Sequence, residues 1–261
     1  MCAILYFSGV YWLYVFFRKR VLKERRSIVL TYHRIRDDDT DPDISVSTRC
    51  FEQQLAFLKE RFNLVSLSEL VRSQGQSTHP GRDNVALTFD DGYEDNYLNA
   101  FPVLKRSGLS ATIFLVSQFI NGKAEFLRSE QIMEMKGQHI SFGSHTATHQ
   151  VLSEINPEAA KEEIINSKRE LEGLLNEEVA FFAYPKGKNR HVNVCIKDQV
   201  KTAGYRAAFT TENGRVDPQS DLFSLKRIGI RNCPLFVFKV RVSGIFESRV
   251  IYWFRGLIGM R

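Results

Sequence analysis

The sequence predicts an α/β protein built on a parallel sheet, and three observations carry that expectation. Short β-branched and aromatic runs alternate at least five times with helix-patterned segments, the signature of strands joined by crossover helices. No internal repeat or low-complexity linker interrupts the alternation, so it reads as a single domain. The residues richest in chemistry, His33, Asp90 with Asp91, His145, and Tyr184 with Pro185, fall where a strand pattern stops. In parallel α/β folds the chemistry gathers at the carboxyl ends of the strands.

Taken in order, "SIVLTYHRI" from Ser27 is the first strand, ending at His33, and an acidic turn follows. A helix starts near Thr48 and carries Phe51, Leu55, Phe57 and Leu58 at helical spacing. "NLVSLSEL" gives a short strand and a helix capped by Ser66 or Ser68. "NVALTFDDG" is the next strand, "NAFPVLKRSG" a helix closed by Gly108, and "SATIFLVSQF" a buried strand. Helix "EQIMEMKGQ" leads to strand "HISFGSH", and a long amphipathic helix begins at Pro157. Strand "VAFFAYP", helix "VCIKDQVKTAG" and strand "YRAAFTT" complete the pattern.

Composition narrows the function classes. The chain has 261 residues, 43% hydrophobic and 25% charged, which is globular rather than disordered. Its formal net charge of +6 is concentrated in "RKRVLKERR", Arg18 to Arg26, where six basic residues face one Glu. The remainder is near neutral, which argues against a nucleic-acid partner. The four cysteines (Cys2, Cys50, Cys195, Cys233) show no metal-ligand or paired spacing.

The first 26 residues read as a separate segment. Cys2 to Phe17 is apolar, with no basic region before it and no small-residue cleavage site after it, so it is a poor cleaved signal peptide. As one helix its roughly 16 residues would span about 24 Å, short of a hydrocarbon core of about 30 Å. An interfacial or barely spanning anchor to membrane lipid fits, with a buried core helix as the alternative. The catalytic region then covers residues 27–232, and 233–261 is an amphipathic tail. As a helix that tail would align Phe246, Val250, Trp253, Phe254 and Leu257, with Arg249 and Arg255 opposite, which suits a membrane interface. The positive-inside tendency puts the folded region on the cytoplasmic face. A periplasmic domain behind a signal anchor is the alternative, and a soluble protein whose termini pack on each other is another.

The stretch "VALTFDDGYEDNY" ends a buried strand in two adjacent carboxylates, Asp90 and Asp91. Such a pair resists desolvation unless something positive neutralises it. "GSHTATHQVL" supplies His145 and His149, four residues apart and on one face of a turn. Two imidazoles and one carboxylate make a set that suits zinc or another divalent transition metal, with positions left open for water. One Asp would bind the metal and the other would face the water.

These residues carry a resemblance. "TFDDGY", "HTATH" and "FAYPKG", in that order, resemble the polysaccharide deacetylase family, the NodB-type carbohydrate esterases, over about Ile28 to Ile230. The resemblance implies a distorted (β/α) barrel that removes acetyl groups from the N-acetylated sugars of a polysaccharide or lipid-linked glycan. It implies Asp90 as catalytic base and Asp91, His145 and His149 as ligands of a divalent metal, zinc first. Tyr184 and Pro185 fall in the third motif, which lines the substrate groove and lends a backbone N–H to the oxyanion. Tyr93 and Tyr184 are candidates to stack on the sugar.

Two departures stand out. Where the family has an Arg that orients the base, this chain has Ala183, and the family's late Leu-x-His motif is absent, since no His follows His191. "TYHRI" near the start is similar to a branch in which a strand-end His is the general acid, which makes His33 the candidate. Arg227, in "LKRIGI", is the candidate replacement for the missing Arg. Two further readings remain at this stage: a non-catalytic carbohydrate-binding relative and a metal-dependent phosphohydrolase.

Overall fold

A computed structural model of the chain describes residues 1–21, 26–38, 40–74, 76–77, 79 and 81–247. Two short helices open it, α1 (Cys2–Phe7) and α2 (Val10–Phe16), followed by a π-helical turn over Phe17–Val21. The β-branched run becomes β1 (Ser27–Tyr32), buried throughout. The strand breaks at His33 and resumes as β2 (Arg34–Ile35), which pairs with β3 (Ser45–Val46) in a small separate sheet. Ser47 then caps α3 (Thr48–Arg61), which buries Phe51, Leu55 and Leu58.

Short β4 (Asn63–Leu64) is followed by α4 (Leu67–Arg72), whose cap is Ser66, its side chain accepting from the Glu69 amide. Then comes β5 (Asn84–Phe89). A π-helical turn, Asn96–Ala100, runs into α5 (Phe101–Ser107), and Gly108 at φ 63° ends it. The alternation continues through β6 (Ala111–Leu115), α6 (Ser129–Met135) and β7 (Ile140–Ser144). Next are α7 (Pro157–Leu175), β8 (Phe181–Ala183), α8 (Val194–Thr202) and β9 (Ala207–Phe209). The described chain finishes with β10 (Ile228–Gly229) and α9 (Leu235–Val242).

All strands of the main sheet are parallel, in the order β10-β1-β5-β6-β7-β8-β9, with β4 flanking the first half of β5. The sheet curls until its edges meet. Leu225 bridges to Phe209 at the end of β9, and three residues later Ile228 pairs with Leu30 of β1. One segment, Leu225 to Gly229, therefore closes the ring on both sides. Phe89, Ile113, Phe142 and Phe182 contribute to the main core, and the helices cover the outside. The result is a single α/β domain with a curled parallel sheet, a distorted barrel, as expected from the sequence.

The N-terminal segment differs from the single helix of roughly 16 residues expected for it. Gly9 adopts φ 82°, a left-handed conformation that glycine reaches without strain, and it splits the run in two. The turn lets Leu5 and Tyr11 both pack against Val240 of α9 and Ile245. The N- and C-terminal segments thus share one small apolar cluster. Below it, the buried Arg18 guanidinium grips Asp83, the residue before β5 (Nη1 to Oδ1 3.1 Å), and the Arg26 amide donates to the same carboxylate. Among the described residues no helix is long and apolar enough to cross a membrane. Phe246 sits in a 3-10 turn, Ile245–Glu247, while Arg249, Val250, Trp253, Phe254, Arg255 and Leu257 lie outside the described residues.

Candidate metal and catalytic centre

Parallel strands bring their carboxyl ends to one rim of the barrel, so β5 and β7 deliver side chains to a common point and β8 a backbone carbonyl. Asp90 and Asp91 leave β5, His145 leaves β7, and the turn after it carries His149. The Asp91 backbone is left-handed at φ 72° and that of His149 at φ 65°. Non-glycine residues held there are uncommon and cluster at functional sites. Gly92 follows at φ 74°, where a Cβ would meet Leu115 Cδ2 at 2.7 Å. The pair of acids therefore needs the glycine behind it.

Asp91 Oδ1 lies 3.4 Å from His145 Nε2 and 3.2 Å from His149 Nε2, and no donor hydrogen-bonds to that buried oxygen among the described residues. His145 donates its other ring nitrogen, Nδ1, to the Ala183 carbonyl at 2.7 Å. That bond turns Nε2 toward Asp91, the usual way a ligating imidazole is oriented. Three ligand atoms thus converge within 4.8 Å of one another. An orphaned buried carboxylate oxygen facing two imidazoles fits a divalent cation, and the triad is consistent with such a site. Burial opposes the charge on Asp91, but the two imidazoles hold its carboxyl well below the usual carboxylate range.

Asp90 has a different partner. Both of its oxygens accept from Arg227, Nη1 to Oδ1 and Nη2 to Oδ2 at 2.7 Å each, and both residues are buried. Arg227 sits in the segment that closes the barrel, immediately before β10, and also donates from Nε to the Thr210 carbonyl at 3.0 Å. Burial works against the charge on Asp90, and the Arg227 guanidinium offsets it, so the carboxyl lies below its ordinary value. His33 is half-buried at the β1–β2 break, and its carbonyl accepts from Asn96 Nδ2 at 2.8 Å. Its ring has no hydrogen-bond partner among the described residues, and it lines a cavity of about 300 Å³ together with Thr31 and Arg227.

The third-motif expectations need correction. The Tyr184 ring is buried against Phe182 and Tyr184 OH donates to the Phe223 carbonyl, so the ring is core rather than a sugar platform. The Tyr184 amide is already given to the Phe209 carbonyl at 3.1 Å, and Pro185 has no N–H, so neither can serve an oxyanion. The Pro185 side chain is buried. Tyr93 is half-buried, stacked on Phe126 at 4.8 Å with the Arg34 guanidinium 4.3 Å from its ring. Burial first, and the Asp91 charge next, push its phenol up to about 12.

Sequence reasoning missed one residue that the site depends on. Glu163 of α7 accepts from the Ala147 amide (3.0 Å), the Thr148 amide (2.9 Å) and the Thr148 hydroxyl (2.7 Å). It clamps the turn between the two histidines. A signal was there: Glu163 falls on the buried stripe of Ala160, Ile164 and Leu171, where an acid requires a partner.

Comparison with known proteins agrees with this geometry. The polysaccharide deacetylase family profile matches residues 77–208. A Bacillus subtilis protein assigned to the polysaccharide deacetylases, YxkH, is 32% identical over 203 residues, covering 77% of this chain and 70% of its own. The poly-β-1,6-N-acetyl-D-glucosamine N-deacetylase of Staphylococcus epidermidis is 27% identical over 243 residues, 82% of each chain. The solved structure of Streptococcus pyogenes deacetylase PplD, in complex with acetate, superposes with a TM-score of 0.75 at 28% identity, covering 83% of this chain and 98% of that one. The fold is thus shared with a solved deacetylase, and the chain belongs to the polysaccharide deacetylase family.

Proposed function

We propose that this protein removes N-acetyl groups from an N-acetylated sugar of a polysaccharide or lipid-linked glycan, with Asp91, His145 and His149 holding a divalent cation, zinc first. The observation that carries the reading is the convergence of those three ligand atoms beside an ionised Asp90 fixed by Arg227. The substrate of the Staphylococcus epidermidis relative, a polymer of N-acetylglucosamine, supports the sugar class.

A divalent cation at this position would polarise the acetyl carbonyl and bring the pKa of the attacking water to about 7. Asp90 takes the water's proton. Arg227 keeps that carboxylate ionised and fixes its rotamer, so its remaining lone pairs are presented in one orientation. His33, with its ring unengaged, gives a proton to the leaving sugar nitrogen. Acetate release from chitooligosaccharides and from an activated aryl acetate checks both roles. A His33→Ala enzyme should keep its metal and its aryl-acetate activity while losing most amide hydrolysis. Equal loss on both substrates would make His33 structural.

The same reading sets the N-terminal helices on a membrane surface, on the cytoplasmic side. Ile4, Phe7, Trp12, Leu13 and Phe16 are 51%, 73%, 50%, 70% and 60% exposed, an apolar and aromatic face beside the basic cluster. Such a face suits insertion into an interface, and an exposed basic residue beside it, such as Arg20, adds about 1 kcal/mol on anionic lipid, whereas Arg18 and Arg26 are buried in the fold. Glutamate at positions 7, 13 and 16 should abolish flotation with anionic vesicles while leaving bound metal unchanged. Unaltered flotation would remove this reading, and a reporter after Arg261 active only in the periplasm would reverse the side.

A further inference from the structure

The cavity that holds His33 is charged in an unbalanced way. Besides His33 and Thr31 it is lined by Lys188, Arg227, Arg231, Arg241 and one acid, Asp43. Arg227 is neutralised by Asp90, and Arg231 pairs with Asp43 (Nη1 to Oδ1 3.2 Å). Lys188 and Arg241 make no ion pair with a carboxylate among the described residues. Lys188 Nζ donates only to the Thr211 carbonyl at 2.9 Å, and the nearby Glu212 carboxylate accepts from the Asn189 amide instead. Lys188 follows β8 and Arg241 ends α9, so two distant elements turn cationic side chains to one half-buried hollow.

A second, more apolar cavity lies next to the hollow. Its volume is about 450 Å³; it shares Asn213 and Arg241 as walls and is otherwise lined by Cys2, Ile228, Val237 and Phe246. Arg241 thus stands between the hollow that holds His33 and a mostly apolar cavity lined from β10 and the two terminal segments.

We propose that this cavity is a subsite for an anionic substituent of the glycan, a phosphate ester, held by Lys188 and Arg241. Partly desolvated cations bind an oxyanion more strongly than exposed ones, and a guanidinium offers phosphate two parallel donors. The proposal rests on the deacetylase reading, since it places the anion on the same molecule whose N-acetyl group is cleaved. The phosphate can come from a prenyl-diphosphate carrier, whose chain the apolar cavity would receive, or from a phosphorylated soluble polymer.

Calorimetry on the full-length, metal-loaded protein tests this with N-acetylglucosamine 1-phosphate against methyl N-acetylglucosaminide. The phosphorylated sugar should bind about tenfold tighter, about 1.4 kcal/mol, and the advantage should shrink as salt is raised. Arg241→Gln and Lys188→Gln should each remove most of that advantage, and Arg241→Lys should retain part of it. Equal binding of the two sugars, or an equal loss for both in the variants, would overturn the subsite. A prenyl-diphosphate-linked sugar that binds tighter than its chain-free counterpart assigns the source to a lipid carrier, and equal binding assigns it to a soluble polymer; either result upholds the anionic subsite. Acetate release from neutral oligomers and from the phosphorylated sugar is measured alongside. Its absence from both would sink the deacetylase reading while leaving the calorimetric preference to be judged by itself.

Discussion

Arg227 and Asp90, 137 positions apart, face each other inside the barrel as a bidentate pair with both side chains buried. Arg227 belongs to the segment that closes the ring between β9 and β1. Barrel closure and the charge state of the buried Asp90 carboxylate are therefore one structural event. The side chain that locks the last strand in place is also the counter-ion of the residue proposed to move the proton.

Removing that guanidinium strands a buried carboxylate, which costs about 3–5 kcal/mol when one partner of a buried pair is lost. Arg227→Ala should lower the melting temperature by many degrees. Arg227→Lys keeps the charge but not the fork, so it should fold, keep its metal and lose turnover. Calorimetric melting, metal analysis and acetate release read the three quantities. Full activity in Arg227→Lys would mean that the charge alone suffices.

The two acids of the pair should fail differently. Asp91→Asn, like His145→Ala and His149→Ala, should empty the metal site. Asp90→Asn should retain metal and lose at least about 10²-fold in turnover, the scale of a missing general base. Elemental analysis beside kinetics decides. Equal metal loss in both Asp variants would erase the division of roles.

Glu163 touches no ligand side chain, yet it holds the backbone that aims two of them. Glu163→Gln keeps an acceptor for the two amides and should be mild. Glu163→Ala leaves those amides unpaired and should weaken metal binding by about 10–100-fold, as loss of an outer support usually does. Competition with a chromogenic chelator measures this. Equal affinities in the two variants would mean the turn holds itself.

The Asp83 carboxylate that anchors the N-terminal segment gives a pH dependence of known sign. Burial opposes its charge, but the Arg18 guanidinium more than offsets this and holds the carboxyl below its ordinary value. A carboxyl depressed on folding stabilises fully above its unfolded pKa of about 3.9 and loses that contribution as pH falls through the folded value. Asp83→Asn should therefore cost stability at pH 7 and flatten the acid limb of the stability curve below about pH 4. Limited proteolysis of the variant should cut first within residues 1–26. Unchanged protection there would show that the apolar cluster alone holds the segment.

Much of this was legible in the chain itself. The alternation of β-branched runs with amphipathic segments specified a parallel α/β fold, because each pattern matches the burial period of only one element. Ser66, Gly108 and Pro157 marked element ends because their local hydrogen bonding or φ preference acts within one turn. "TFDDGY" and "HTATH" named Asp90, Asp91, His145 and His149, since strand ends of a parallel sheet must meet at one rim. What the sequence by itself could not determine depended on contacts between distant segments. Nothing local places Arg227 on Asp90, Glu163 under the histidine turn, or Arg18 on Asp83, because closure of the barrel and packing of α7 and the terminal helices create those pairs. The same cause overturned the reading of Tyr184. The resemblance put it in a groove, but its ring packs on Phe182 of β8, and its amide and hydroxyl reach the carbonyls of Phe209 and Phe223, which are distant in the chain.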